Sequence, residues 1–302
     1  MRTEPIVDGA GTPVPVARAW HWGRWVAAAV ALVVAGWLAY LVVVNPRLDW
    51  DKVAEYLFNE RILSGVWVTI EISVLATALG LVLGVLVAVM RLAQNPVLSG
   101  LATFYIWFFR GTPVLVQLIF WYNLAFLFPE LVLKIPFTAI GLKWDTNQVM
   151  TGFTSAMLGL GLNLAAYFAE TVRAGIQAVD RGQTEAAYSL GMTPAKRMRV
   201  IVLPQALRII IPPTGNEFIS MLKTTSLVYV VAGHDLMTNA SQIYKANNRI
   251  MELLIVASVW YMLMTAVATF LQGRLERRFG SDAVRLVRGG GVAAKVLPKV
   301  AA

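Results

Sequence analysis

Apolar positions in this chain come in long blocks rather than in alternation. Runs with few or no charges cover Trp25–Val44, Ser64–Met90, Gly111–Phe128, Met150–Ala169, Ile209–Val231 and Leu253–Leu271. Each approaches the roughly 20 residues that an α-helix needs to cross about 30 Å of hydrocarbon. The second run carries one charge, Glu71, and the fifth carries Pro212, Pro213, Glu217 and Lys223. The third follows the apolar stretch "LATFYIWFF". Short clusters of Trp, Tyr and Phe at block ends fit interfacial belts. The pattern predicts an all-α membrane fold with about six transmembrane helices. The first block is too long for the apolar core of a signal peptide, and "VVVNPRLDW" offers no small-residue cleavage site. It reads as a retained span. No solenoid-type repeat is visible.

Composition agrees with the blocks. Of 302 residues, 58% are hydrophobic and only 14% are charged, against about a quarter in soluble domains. The net charge of +9 does not call for nucleic acid, because basic residues flanking spans produce the same excess. With six spans both ends share a side. The segments on that side, 1–24, 91–110, 173–208 and 272–302, hold 18 Lys and Arg, while 45–63, 129–149 and 232–252 hold 7. The positive-inside rule then predicts cytoplasmic N- and C-termini in a multi-pass protein of the cytoplasmic (inner) membrane. The chain has no cysteine and two distant histidines, His21 and His234, so neither thiolate chemistry nor a His-based metal site is expected.

These readings divide the chain. Residues 1–24, rich in Pro, Gly and Thr, read as a disordered cytoplasmic start. An extra N-terminal span and external loop occupy 25–62, a helical core 63–280, and a flexible basic tail 281–302.

One stretch does not fit a span: "EAAYSLGMTPAKRMRVIVLP", residues 185 to 204. Asp180 and Gln183 have capping-box spacing, which predicts a helix starting at Asp180. Gly191 suits the left-handed conformation that ends a helix. Thr193 and Pro194 are a good cap and first position for a second, basic turn that leads to Leu203-Pro204. Two short helices at an angle are expected on the cytoplasmic side, too polar to span. They either lie on lipid or, given the small Ala186 and Ala187, approach another protein's groove.

Glu185, Ala186, Ala187, Gly191, Ile201, Leu203 and Pro204, at this spacing, resemble the EAA loop of ABC importer permeases. The stretches "FFRGTPVLVQLIF", "NLAAYFAETVRAGI" and "LKTTSLVYVVAG" resemble the polar amino acid subgroup, whose members carry His, Glu, Gln, Arg or opine-type substrates. The resemblance runs from about Leu63 to Gly280. It implies a five-helix permease core in which loop 180–204 is the coupling helix that docks on a separate cytoplasmic ATPase. It also implies a second permease subunit, alike or different, and an extracytoplasmic amino acid binding protein. The chain departs in its extra first span, and in reading Lys223-Thr224-Thr225-Ser226 where the subgroup reads Lys-Asp-Thr-Ser. It holds no phosphate loop of the G-x-x-x-x-G-K-[ST] kind. No covalent catalysis is therefore expected of it, and ATP and Mg are expected on the partner.

Polar residues inside spans mark the expected pathway, because they are costly in lipid. Asn163, Tyr167, Glu170 and Thr171 fall on one helical face, and Asn216, Ser220, Lys223 and Thr224 repeat the spacing. Lys223 and Glu170 are candidates for an amino acid's carboxylate and ammonium, as are backbone groups at a helix break, which Pro212-Pro213 suggests near the start of the fifth span. Glu170 equally suits a pair with Arg173. Gln117 reads as a pathway residue or an interhelical hydrogen bond, and Glu71 as a buried hydrogen-bonding group. Arg110-Gly111-Thr112-Pro113 reads as a cytoplasmic helix start, with Thr112 as cap. The reading is an importer permease subunit moving a polar amino acid. The rivals are a non-ATP-driven secondary transporter or channel with a membrane-surface helix, and a membrane scaffold.

Overall fold

The computed structural model describes residues 22–134 and 141–280. Residues 1–21, 135–140 and 281–302, which include the expected disordered start and basic tail, lie outside the described residues. The chain divides into two compact units at Trp50/Asp51. In the first, α1 (Trp22–Val43) is a single apolar helix, and the Trp50 indole N–H donates to the Val43 carbonyl at 2.8 Å.

The second unit is a bundle. A short α2 (Trp50–Leu57) leads into α3 (Glu60–Leu92), 33 residues long. Asn59 caps α3, and Asn95 with Pro96 starts α4 (Pro96–Gly111). Next comes α5 (Val114–Tyr122), then β1 (Glu130–Lys134) paired antiparallel with the exposed β2 (Gly141–Asp145). Asp145 caps a one-turn α6 (Thr146–Val149), and Thr151 caps α7 (Gly152–Gln177). After α8 (Arg181–Ser189) and α9 (Pro194–Arg197) comes α10 (Leu203–Thr224). The C-terminal part holds α11 (Leu236–Asn247) and α12 (Ile250–Gly280).

The bundle centres on α3 against α7. Gly80 lies against Leu164, Gly84 against Phe168, and Gly161 against Leu79 and the Ala76 carbonyl. Contacts advance in the same direction on both helices, so α3 and α7 run parallel. Gly80 and Gly84 form a G-x-x-x-G pair, which lets helix backbones approach where no hydrophobic effect drives association. Trp67, Val82 and Val89 on α3, and Met262 and Leu271 on α12, remain exposed, as lipid-facing surfaces require.

The structure corrects several expectations. Among the described residues four helices, α1, α3, α7 and α12, are long and apolar enough to span, and α4 with α5 qualifies as a pair bent by 101°; α10, which covers most of the expected fifth span, is not among them. The expected span over Gly111–Phe128 thus shortens to α5, and α4, formed by the apolar stretch before it, meets α5 at Thr112-Pro113. Thr112 closes α4 rather than capping α5, its N–H reaching the Phe108 carbonyl at 3.2 Å, and Pro113 stands before the first residue of α5 rather than within it. The stretch after Gly191 does not end at Leu203-Pro204. Helix continues from Pro194 to Thr224 through a wide π-type turn at Met198–Val202, where one extra residue absorbs the missing N–H of Pro204. No break occurs at Pro212-Pro213. The helix instead tightens to 3₁₀ over Thr225–Val231 and stops at Ala232, which has φ +51°. Glu71 is exposed on α3 rather than buried.

Candidate functional site

The α4–α5 bend follows from one missing hydrogen. Pro113 has no N–H, so the Phe109 carbonyl loses its partner four residues on. Two side-chain amides replace it. Gln117 Nε2 donates to Phe109 O at 3.0 Å and Asn163 Nδ2 donates to the same oxygen at 2.9 Å. Gln117 Nε2 also reaches the Thr112 carbonyl at 3.1 Å and its hydroxyl at 2.8 Å, and Gln117 Oε1 accepts from Asn163 at 3.3 Å. The Tyr105 hydroxyl donates to the Leu162 carbonyl at 2.8 Å, binding α4 to α7 one turn away.

Beside this bend is a cleft of ≈ 650 Å³. Arg110 and Thr112 line it from the bend, Asn163 and Tyr167 from α7, and Glu217, Ser220 and Thr224 from α10. The Arg110 guanidinium carbon sits 5.1 Å from the centroid of the Tyr167 ring. Its depth follows from α3. Nineteen uncharged residues separate Glu71 from Arg91, roughly 28 Å at about 1.5 Å per residue. Leu164, next to Asn163, packs on Gly80, near the middle of that interval. The cleft therefore places a cation, an acid, an amide and hydroxyls at the middle of an apolar bundle, where such groups are costly unless they serve a function.

The structure brings together Asn163, Tyr167, Ser220 and Thr224 from the two expected polar stripes. Gln117 is buried behind them. Glu170 lies outside the lining, with its carboxylate 2.7 Å from Arg173. Lys223 is exposed and also outside it. Arg110, read from the sequence at a cytoplasmic helix start, lines the cleft. Its signal was present: it is the only charged residue between Arg91 and Glu130. Among the described residues no three His, Asp or Glu side chains group as metal ligands do.

At the other end of α7 the 180–204 stretch forms a compact corner. Asp180 caps α8 by accepting from the Gly182 N–H at 2.7 Å. Gly191, with φ +72°, ends it. The Met192 N–H reaches Ala187 O at 3.1 Å and the Gly191 N–H reaches Tyr188 O at 2.9 Å, the paired bonds of a Schellman turn. Thr193 caps the next helix, with Pro194 at its first position. Glu185 and Ala186 are exposed, as are Leu203 and Pro204 further on. Ala187 is buried in its own chain, so of the two small residues only Ala186 is open to a partner. Tyr188 and Leu190 are large apolar side chains 74% and 80% exposed, which is costly for a surface that stays in water.

Comparison with known proteins gives consistent matches. The family described as binding-protein-dependent transport system inner membrane component matches residues 80–281. The arginine transport system permease protein ArgU of Corynebacterium glutamicum is 43% identical over 91% of this chain and 85% of its own length. The probable glutamine ABC transporter permease protein GlnM of Bacillus subtilis is 35% identical over 78% of this chain and 100% of its own. A chain in the crystal structure of an amino acid ABC transporter with histidines superposes with a TM-score of 0.66 at 37% identity, covering 76% of this chain and 99% of that one.

Proposed function

The chain belongs to the family of inner membrane components of binding-protein-dependent transport systems, and from that premise we propose that it is the permease subunit through which an ATP-driven importer passes a polar amino acid. The observation that carries the reading is the presence of Arg110 and Glu217 in the lining of one cleft. An amino acid presents a carboxylate and an ammonium a few ångströms apart. Arg110 suits the first through charge-assisted hydrogen bonds, and Glu217 suits the second. Asn163, Ser220 and Thr224 supply neutral partners. The names of ArgU and GlnM, which refer to arginine transport and glutamine, support a polar amino acid as cargo.

The working unit is a pair of permease subunits, alike or different, that closes the open side of the cleft. An extracytoplasmic binding protein delivers the amino acid. A separate ATPase, holding ATP and Mg, docks on α8 from the cytoplasm, where both termini of this chain also lie. The hairpin Glu130–Asp145 is on the opposite side. This chain catalyses no covalent step. Glu185, Ala186 and Gly191 form the docking corner, and Leu203 and Pro204 join it to the span. Continuity of helix from Pro194 to Thr224 gives the coupling a physical form. A displacement of the docked corner travels along one rod of about 45 Å to Glu217, Ser220 and Thr224 in the cleft.

The test is uptake of labelled amino acids by proteoliposomes that hold this chain, the ATPase and the binding protein. Uptake should require ATP and survive dissipation of ion gradients. Ion-driven uptake without ATP would make the chain a secondary transporter.

A further inference from the structure

We infer that Gln117 is a positioning residue of the cleft, one that sets the affinity for cargo without touching it; this rests on the reading of the cleft as the amino acid passage. Four observations point the same way. Pro113 leaves the Phe109 carbonyl without a helical donor. Gln117, one turn into α5, sends its side chain back across the break to Phe109 and Thr112. It is 5% exposed and absent from the cleft lining. Its remaining acceptor takes a hydrogen from Asn163, which does line the cleft.

A carboxamide has two N–H donors and a carbonyl that accepts. Gln117 divides its donors among three acceptors on one side of the bend and uses its carbonyl on α7. It therefore ties α4, α5 and α7 at one point. Arg110 and Thr112 stand next to that point and face the cavity. Asn163 is shared between the bend and the cleft: its amide N–H bonds are spent on Phe109 and Gln117, and no bond within the described residues occupies its carbonyl oxygen. That oxygen is thereby turned to accept from a cargo ammonium or amide. Without Gln117, the Phe109 carbonyl keeps only the Asn163 N–H, the Thr112 carbonyl loses its side-chain donor, and the Asn163 amide loses the acceptor that fixes its orientation. The cargo then loses an oriented Asn163.

The test is a double-mutant cycle in the assembled importer. Gln117→Leu keeps the volume and removes the donors. Its half-saturating amino acid concentration for uptake should rise about tenfold, which corresponds to roughly 1.4 kcal/mol, while maximal uptake changes less than about twofold. Pro113→Ala restores the N–H that Phe109 lacks. In that background Gln117→Leu should raise the half-saturating concentration less than about twofold. An unchanged value in Gln117→Leu alone, or the same tenfold rise in both backgrounds, overturns the assignment. A second readout does not depend on cargo. Spin labels on cysteines replacing the exposed Trp107 and Phe120, in this cysteine-free chain, report the α4–α5 angle. Gln117→Leu should broaden that distance distribution, and Pro113→Ala should narrow it again. An unmoved distribution overturns the latch even if the passage carries some other solute, whereas wild-type proteoliposomes without amino acid uptake would overturn the cargo reading instead.

Discussion

Gly84 of α3 meets Phe168 of α7 so closely that a Cβ on the glycine would stand 2.8 Å from the phenylalanine ring and 3.0 Å from the Ala165 carbonyl. The second neighbour is backbone and cannot give way by rotating. Gly84→Leu should therefore part the two central helices. The expected cost is about 3 kcal/mol or more, at the upper end of overpacking effects. It should read as a lower thermal midpoint in detergent and loss of the monodisperse species. An unchanged midpoint would mean that α3 and α7 are spaced more widely.

Glu170 and Glu217 should behave differently although both are acids inside expected spans. Glu170 is engaged by Arg173 at 2.7 Å on a partly exposed surface, and such pairs contribute about 1 kcal/mol or less. Glu170→Gln should shift the half-saturating amino acid concentration less than about twofold. Glu217→Gln should raise it about tenfold or more, since Glu217 lines the same cavity as Arg110. Uptake kinetics at matched membrane levels decide this, and equal effects of the two would remove Glu217 from cargo binding.

Much of this was legible from the apolar blocks. The spans at α1, α3, α7 and α12 stood out because each is a long run interrupted by few charges. The corner at Gly191 could be read because caps, Pro194 and a φ-positive glycine leave local marks. The bend at Pro113 was legible only as a helix boundary. Its consequence, a carbonyl shared by Gln117 and Asn163, depends on residues 46 positions apart meeting in space. Arg110 was not read as a cleft residue because a charge at the end of an apolar run looks the same whether it reaches a cavity or water. Glu71 was expected to be buried because a lone acid in a span usually is, and only the register of α3 against α7 puts it on an outward face. The hairpin at 130–145 has no strong alternation, and nothing in its residues distinguished it from a loop.

Orientation is open to direct chemistry because the chain has no cysteine. Lys143→Cys on the hairpin should react with an impermeant maleimide on intact cells. Tyr188→Cys on α8 should react only after the membrane is opened. The reverse pattern would invert the topology.

Burial pushes the Asp235 carboxyl above its ordinary value, opposed by the bonds it accepts from Thr238 and the Met237 N–H. A carboxyl raised in the folded state costs stability once the unfolded chain ionises. The penalty is absent below the ordinary aspartate value of about 4 and grows as pH rises towards the folded value. Asp235→Asn cannot ionise. The thermal midpoint of wild type minus that of the variant should therefore fall as pH rises from about 4 to 7, read in detergent. A difference that rises with pH would mean that the carboxylate, not the acid, is the stabilising form.

Coupling between α8 and a separate ATPase is the centre of the account, and stimulated ATP hydrolysis by the assembled importer tests it most directly. Gly191 has φ +72° and open space around it, so a side chain there costs backbone strain of about 1 kcal/mol or more rather than a clash. Gly191→Val should thus tilt α8 without unfolding the bundle, and Glu185→Arg should reverse one exposed charge. Both variants should insert, keep the wild-type thermal midpoint within a few degrees and still meet the binding protein. Both should lose most of the ATP hydrolysis that loaded binding protein stimulates, together with co-purification of the ATPase. Full stimulated hydrolysis in both would contradict the account and leave α8 as a helix on the membrane surface.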